Sequence, residues 1–309
     1  MHFDILLQQV LNGLVLGSVY ALVALGYTMV YGILQLINFA HGDVLMIGAM
    51  VGVTVVGLLA GSGLPGPVIL LIALAAAIPA CVVLSLAIER IAYRPLRHAP
   101  RLAPLITAIG VSIVIQTLAM IVWKPNPIVF PDLLPTEPIH IGGALLAPKQ
   151  LLILVVSGLT MAGLLLLVNR TWLGRAMRAT AENPRVAGLM GVNSNRVIAA
   201  TFSIGAALAA VAGVLVAMNY NIAQFSMGFI PGLKAFTAAV LGGIGNLGGA
   251  VLGGLLLGII ESLGAGYIGD LTGGFLGSHY QDIFAFIVLI VVLVFRPSGL
   301  LGERVADRA

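Results

Sequence analysis

Apolar runs of membrane-spanning length dominate this chain and restrict what it can fold into. A helix needs about 20 predominantly apolar residues to cross the hydrocarbon core of a bilayer. With 60% hydrophobic and 8% charged residues among 309, the chain has too much apolar surface for a soluble core. The sequence therefore predicts an all-α polytopic membrane protein, with residues 1–309 forming a single membrane-spanning domain. Runs of sufficient length lie at 5–25, 28–60, 67–89, 103–123, 150–169, 197–219, 233–268 and 280–296.

Two of these runs are interrupted. Residues 35–43 (QLINFAHGD) place polar groups inside the run 28–60, and residues 241–249 (LGGIGNLGG) place glycines inside the run 233–268. We expect about eight to nine transmembrane helices: the total is nine if 233–268 forms a hairpin of two short helices, and a re-entrant element there would give seven full crossings. Paired breaks in two halves are typical of transporters built from an internal duplication, with broken helices at the membrane midplane. We therefore expect two broken-helix regions and an internal duplication.

The arginines predict the orientation of the chain. All of them fall in three clusters, at 90–101, 170–196 and 296–308, and arginine-rich loops remain on the cytoplasmic side of a membrane. Lys124 and Lys149 bracket a proline-rich stretch that then lies outside. This arrangement predicts an external N-terminus and a cytoplasmic C-terminus. The net charge of +4 is thus explained by topology and does not indicate a nucleic-acid partner.

The first break supplies candidate residues for a passage through the membrane. Asp43 would cost about 2.5–3.5 kcal/mol at the centre of a membrane helix. A helix that restarts at residues 41–43 relieves that cost, because its N-terminal end stabilises a carboxylate. Free backbone N–H groups could then line a passage for a polar solute, together with Asn38, Phe39, His41, Gly42 and Asp43. The alternative is that these residues only cap a broken helix.

The second break supplies Gly242, Gly243, Gly245 and Asn246 as further candidates for the passage. Residues 243–248 also match the dinucleotide-binding pattern G-x-G-x-x-G, but that pattern requires a βαβ context, which is absent here. Glycines that permit a broken backbone explain the stretch better.

The remaining motifs argue against an enzyme. The chain lacks the phosphate-binding pattern G-x-x-x-x-G-K-[ST], and its five histidines show no metal-ligand spacing. The acids Glu261, Asp270 and Asp282 flank the last external region. We expect them at solvated helix ends, with a proton relay as the alternative.

The polar interval 170–196 has the character of a docking element. Asn183 and Pro184 suit the start of a helix, and a short apolar patch follows. A helix of one or two turns that exposes Val186, Leu189 and Met190 could fit a groove on a partner. The alternative is an ordinary positively charged loop.

Several motifs together resemble the permease subunits of high-affinity branched-chain amino-acid ABC importers. They are residues 26–33 (GYTMVYGI), 37–43 (INFAHGD), 88–97 (IERIAYRPLR), 174–179 (GRAMRA), 191–193 (GVN), 196–199 (RVIA) and the stretch from 227 to 245 that contains KAFTAAVLGGIG. The resemblance runs nearly end to end. It is less specific for the substrate, because urea and short-amide importers look similar.

The resemblance implies a multi-pass subunit of the bacterial inner membrane that imports leucine, isoleucine or valine. Its implied partners are a second permease, two cytoplasmic ATPase subunits and a periplasmic amino-acid-binding protein, with no nucleic acid. No cofactor is implied for this chain, since ATP and Mg²⁺ belong to the ATPase subunits. The interval 170–196 would then be the coupling loop, seated on an ATPase through Arg175, Arg178, Glu182, Asn183, Arg185, Gly188, Leu189 and Gly191. An ATP-independent channel or a proton-coupled carrier that uses Asp43 and Glu261 remains the alternative of another class.

Overall fold

The fold consists of long helices joined by short links. The computed structural model describes residues 2–97, 99–100, 102–272 and 281–302. The helices within these ranges are α1 (His2–Leu34), α2 (His41–Leu59), α3 (Gly66–Ile88), α4 (Leu102–Trp123), α5 (Pro148–Arg170), α6 (Trp172–Glu182), α7 (Pro184–Leu189), α8 (Ser194–Tyr220), α9 (Phe229–Gly242), α10 (Leu247–Leu271) and α11 (Gln281–Phe295). A π-helical turn, Glu89–Tyr93, extends α3.

Seven of the described helices are long and apolar enough to cross a membrane: α1, α2, α3 with its π-helical turn, α4, α5, α8 and α10. Two shorter apolar helices, α9 and α11, add to them. The prediction of an all-α polytopic membrane protein is confirmed. The orientation of its two termini stays a prediction.

Short antiparallel strands accompany the helices at one end of the bundle. They are β1 (Ile128–Val129), which pairs with β4 (Ile222–Ala223), and β2 (Ile139–Ile141), which pairs with β3 (Ala144–Leu146). Gln8 of α1 exchanges two hydrogen bonds with the backbone of Leu145. The proline-rich stretch 124–148 therefore covers the same end as the start of α1. We call this the opposite end, because it lies across the bundle from the end where the arginines gather.

The described arginine clusters meet at the other end, which we call the arginine-rich end. The guanidinium of Arg97 donates to Asn195 Oδ1 at 2.6 Å, and the Asn246 amide donates to the carbonyl oxygen of Leu301 at 2.9 Å. A cavity at this end is lined by Arg178 and Ser298 together. The prediction that the three clusters share one side agrees with this geometry for the described arginines; Arg101, Arg304 and Arg308 lie outside the described residues.

Glycines bring α1 and α10 into backbone contact along most of their length. A Cβ on Gly17 would lie 2.8 Å from the Cα of Leu255, and a Cβ on Gly13 would lie 2.6 Å from the Cα of Ile259. A second packed group consists of α2, α3 and α8. By contrast, α4 and α5 bury only a small part of their surface within the chain. In a membrane these two peripheral helices face lipid or another subunit.

The first predicted interruption is confirmed, although the helix before it is longer than expected. The runs 5–25 and 28–34 form one continuous helix, α1, and residues 35–40 form a non-helical link to α2. Gln35 has a positive φ of 52°, which ends α1. Residues 243–246 also interrupt the helices, as expected, but they form the turn between α9 and α10 at the arginine-rich end.

A further non-helical link lies at residues 224–228, between the predicted runs 197–219 and 233–268, where no passage residue was expected. This link follows β4 at the opposite end and leads into α9. The link 35–40 leads into α2 from the arginine-rich end. The two links thus enter the bundle from opposite ends, as in inverted repeats. The internal duplication itself stays a prediction, and residues 243–246 of the second glycine stretch form the turn after α9.

Candidate translocation site and partner-docking helix

The link 35–40 returns into the bundle before α2 begins. Gly26 of α1 lies directly against the ring of His41, the first residue of α2. Gly26 lies eight residues before the end of α1 at Leu34. The link therefore returns along α1 by about 12 Å, at 1.5 Å per residue. On the other side, Gly205 lies about 17 Å along α8 by the same measure, and a Cβ there would lie 3.6 Å from His41 Cε1. Helix α2 therefore starts about halfway along α8.

Asn38 fixes the link through its side-chain oxygen. Asn38 Oδ1 accepts hydrogen bonds from the Tyr93 hydroxyl at 3.0 Å and from the Ala40 amide at 3.1 Å. Tyr93 lies on the π-helical turn after α3, and its ring packs against Phe202. Both Asn38 and Tyr93 are buried. Sequence reasoning included Asn38 and missed Tyr93, although a tyrosine at the end of an apolar run was a visible signal.

Aromatic rings surround the start of α2. The Tyr27 and His41 rings meet edge to face at 4.9 Å, and Phe236 of α9 lies 6.0 Å from Tyr27 and 5.7 Å from Phe39. His41 is 2% exposed, and its Nε2 has no hydrogen-bond partner among the described residues. Phe39 and His41 are thus packed between helices rather than exposed to an open channel.

Asp43 is buried in the first turn of α2 and is 2% exposed. Its Oδ1 accepts a hydrogen bond of 2.9 Å from the Gln116 side chain of α4. No ion pair to Asp43 is present within the described ranges. The helix N-terminus and side-chain donors from Ser112 and Gln116 of α4 therefore balance this carboxylate, as the sequence predicted for a restarted helix.

The beginning of α9 meets the beginning of α2. Gly42 lies against Gly228 and Gly232, with only backbone at the contact. Both helices start inside the bundle, so two positive helix ends lie close together. This contact joins the two links that enter from opposite ends. Neither Gly228 nor Gly232 was a sequence-based candidate, because single glycines between two predicted spans carry little signal.

The second group of predicted passage residues lies at the turn between α9 and α10, away from Asp43. Gly243, with a φ of +107°, packs against Gly302, and Gly242 packs against Gly249. Asn246 Oδ1 accepts from the Gly249 amide at 2.9 Å, which starts α10. The structure therefore does not bring Gly242, Gly243, Gly245 and Asn246 together with the group around Asp43.

A large open cavity of about 1070 Å³ lies at the arginine-rich end. Its wall combines apolar side chains of α1, α5 and α9 with polar groups from Thr28, Gln35, Asn169, Arg178 and Asn246. Gly245 also lines it. The second predicted group thus borders an entrance to the bundle, whereas the first lies deeper.

The predicted docking element is a short exposed helix. Asn183 Oδ1 accepts from the amides of Arg185 and Val186 at 3.0 and 3.1 Å, and α7 follows for six residues. Gly191, with a φ of +84°, lies just beyond it. The apolar residues predicted to be exposed are 53% exposed at Val186, 87% at Leu189 and 81% at Met190.

The other candidates of the interval 170–196 differ in exposure and contacts. Arg185 and Gly188 of α7 are exposed, as are Arg175 and Glu182 of the preceding helix α6. Arg178 is also exposed, but its guanidinium donates to the Val168 carbonyl of α5 at 2.9 Å. Arg178 therefore joins α6 to the membrane helix α5.

The expectation that Glu261 is solvated is wrong. Glu261 is 1% exposed and forms an ion pair of 2.6 Å with Lys234 of α9. Asp282 also approaches Lys234, at 2.7 Å, while the side chain of Asp270 lies outside the described residues. The missed signal was Lys234, a cation at the start of the apolar run 233–268.

Comparison with known proteins identifies the family. The model described as branched-chain amino acid transport system / permease component matches residues 9–293. This chain belongs to that permease family. The permease is 50% identical over 307 residues to the high-affinity branched-chain amino acid transport system permease protein BraD of Pseudomonas aeruginosa, covering 98% of this chain and 97% of that one. It is 43% identical over 313 residues to LivH of Escherichia coli K12, which has the same description, covering 99% of each chain.

A more distant relative is similar to less than half of the permease. The autoinducer 2 import system permease protein LsrC of Yersinia enterocolitica is 33% identical over 143 residues, 44% of this chain and 38% of that one. No solved structure matches this chain. The permease is thus a multi-pass membrane protein and a subunit type that belongs to transport systems.

Proposed function

We propose that this permease is the membrane subunit of an ATP-driven importer that moves leucine, isoleucine and valine into the cytoplasm. The observation that carries the proposal is the 50% identity, over nearly the whole of both chains, to a permease described as a branched-chain amino acid transporter. The matched region is long enough to include the membrane helices, the links and the loop between α5 and α8.

In this proposal the arginine-rich end is cytoplasmic, in the inner membrane of a bacterium, and α7 docks on an ATPase subunit. Two observations support the docking role. Leu189 and Met190 are more than four-fifths exposed although both are apolar, and exposed apolar side chains on a short helix suit a partner's groove. Glu182 at the end of α6 and Arg185 in the first turn of α7 would provide a polar rim.

The path of the amino acid lies beside the paired starts of α2 and α9. A zwitterion carries a carboxylate, which positive helix ends stabilise, and an ammonium group, which Asp43 would attract. The rings of Tyr27, Phe39 and Phe236 offer apolar walls for a branched side chain. Gly42 and Gly228 are in contact in this structure, so passage requires α2 and α9 to separate.

The polar residues around the cavity then form the cytoplasmic exit. Gly245 and Asn246 border the cavity, and Gly242 and Gly243 form the adjacent end of α9. ATP binding and hydrolysis on the partner ATPases would move α7, and through α6 and the bond from Arg178 to Val168 would move α5. Alternating exposure of the passage would follow from that movement.

The test is to purify the native assembly in mild detergent and identify the chains that accompany the permease by mass spectrometry. We expect a second permease, two ATPase subunits and hydrolysis of ATP that increases with added leucine-loaded binding protein. An assembly without an ATPase would contradict the proposal and favour the channel or carrier. The carrier is distinguished by its energy source, since its uptake stops when the proton gradient is dissipated at constant ATP.

The substrate needs a separate measurement, because permeases of similar sequence serve other solutes, as the name of LsrC indicates. Uptake of radiolabelled leucine should compete with isoleucine and valine and be insensitive to urea or acetamide. Competition by an amide at equal concentration would favour the urea or short-amide alternative.

A further inference from the structure

Three charged side chains from three helices meet inside the bundle. Lys234 of α9 lies with its Nζ 2.6 Å from Glu261 Oε1 of α10 and 2.7 Å from Asp282 Oδ1 of α11. The hydroxyl of Tyr20 from α1 also donates to Glu261 Oε1, at 3.3 Å. We call Lys234, Glu261 and Asp282 the charged cluster.

Burying the charged cluster inside a membrane protein costs free energy. The side chains of Lys234 and Glu261 are 8% and 1% exposed, and Glu261 Oε2 has no hydrogen-bond partner within the part of the chain described. A buried ion pair adds little stability over apolar packing of the same volume. Ionisable residues inside membrane helices more commonly serve function. The cluster is separate from Asp43 and from α7.

The position of Lys234 on α9 indicates what the cluster does. Helix α9 has 14 residues, too few to span a bilayer, with the non-helical link 224–228 before it and the turn 243–246 after it. Lys234 follows Gly232, which contacts Gly42 of α2. The cluster therefore fixes the short helix close to the point where it meets α2.

We propose that Lys234 is a positioning residue that joins α9 to both α10 and α11, so that these helices move together against α2 during transport. Glu261 is the permanent partner, because it is fully enclosed and also bonded to Tyr20. Asp282 is the partner that adds α11 to the pair of α9 and α10. Its side chain is 40% exposed, so its ion pair with Lys234 is less enclosed than that of Glu261. This inference rests on the proposed function, because its readout is uptake.

The sharpest variant is Asp282→Asn, which leaves the pair of Lys234 and Glu261 intact. In the complete transport complex, reconstituted in vesicles with ATP inside, we expect normal assembly and thermal stability. The maximal rate of leucine uptake should fall about fivefold or more, with the KM for loaded binding protein unchanged within about twofold. The matched control is Glu137→Gln, the same change at an exposed carboxylate, with uptake unchanged. A wild-type rate in Asp282→Asn, or a loss that only follows the amount of assembled complex, overturns the inference.

A second test compares a variant that removes only Lys234 with one that removes all three charges of the charged cluster together. Lys234→Met alone should reduce assembly because two carboxylates lose their partner. The combination of Lys234→Met, Glu261→Gln and Asp282→Asn should restore assembly, with uptake still about fivefold or more below wild type. Wild-type uptake by the combined variant, or its failure to assemble, contradicts a positioning role. If the unmodified complex itself takes up no leucine, the proposed function fails instead, so the two failures are distinguishable.

Discussion

Gly42 and Gly228 meet where two helices begin: a Cβ on Gly42 would lie 2.6 Å from the carbonyl oxygen of Gly228. No side chain larger than hydrogen fits this contact without movement of α2 or α9. The contact closes the bundle between the group around Asp43 and the link 224–228. Opening at this point is therefore a requirement of the proposed transport cycle.

Replacement of Gly42 by alanine should hold α2 and α9 apart. Overpacking of this kind costs about 1–3 kcal/mol, so we expect a lower thermal stability of the complex and about tenfold or greater loss of leucine uptake. Gly57→Ala is the matched control on the same helix, because a Cβ at Gly57 would contact nothing within 4 Å. Equal uptake by the two variants would show that the contact does not matter for transport.

Replacement of Asp43 by asparagine separates its two roles. The amide oxygen can still accept from Gln116, and loss of the charge at the helix N-terminus costs about 0.3–1 kcal/mol. We therefore expect normal assembly, with leucine uptake strongly reduced because the substrate ammonium loses its counter-charge. Unchanged uptake with unchanged assembly would leave only the capping role for Asp43.

Replacement of Leu189 by aspartate should separate the permease from its ATPase. Leu189 is 87% exposed, so the permease itself should stay folded while the ATPase subunits are lost during purification. Leu189→Met keeps an apolar side chain of similar size and should retain them. Retention of the ATPase by the aspartate variant would argue against α7 as the docking helix.

Replacement of Tyr93 by phenylalanine should weaken the link 35–40. The hydroxyl of Tyr93 is a donor to buried Asn38, and removal of one partner of a buried hydrogen bond costs about 1–3 kcal/mol. We expect a lower midpoint of thermal unfolding, measured on the purified complex. Tyr31→Phe is the control, since Tyr31 lines the open cavity. A midpoint equal to that of the control would contradict the role given to Asn38.

The features that sequence predicted are those that depend on local composition. Apolar runs define the membrane helices, arginines cluster at one end, and the order Asn183, Pro184, Gly191 determines the start and end of α7. Each of these signals is contained within a few consecutive residues.

The features that sequence missed depend on packing between distant segments. The link 224–228 lies between two predicted spans, so in the sequence it looks like an ordinary connecting loop. Its partner Gly42 lies far away in the chain. Lys234 and Glu261 are brought together because α9 and α10 are antiparallel. The sequence of either helix alone does not predict which residues of the other it will contact. The second glycine stretch was assigned to the passage because glycines mark breaks, but a break at a helix end and one inside the bundle have the same composition.

The return of the link 35–40 into the bundle has an electrical consequence. Backbone without helical hydrogen bonds needs protein or water as a partner, and the large cavity beside Gln35 gives water access from the arginine-rich end. Where water fills this cavity, the distance that separates the two aqueous sides is shorter at this subunit than across the surrounding bilayer. Moving one unit of net charge across the membrane involves about 2.3 kcal/mol per 100 mV, with a sign that depends on the charge and the direction. A zwitterion carries no net charge, so the membrane potential neither drives nor opposes its crossing, however thin the insulating layer is.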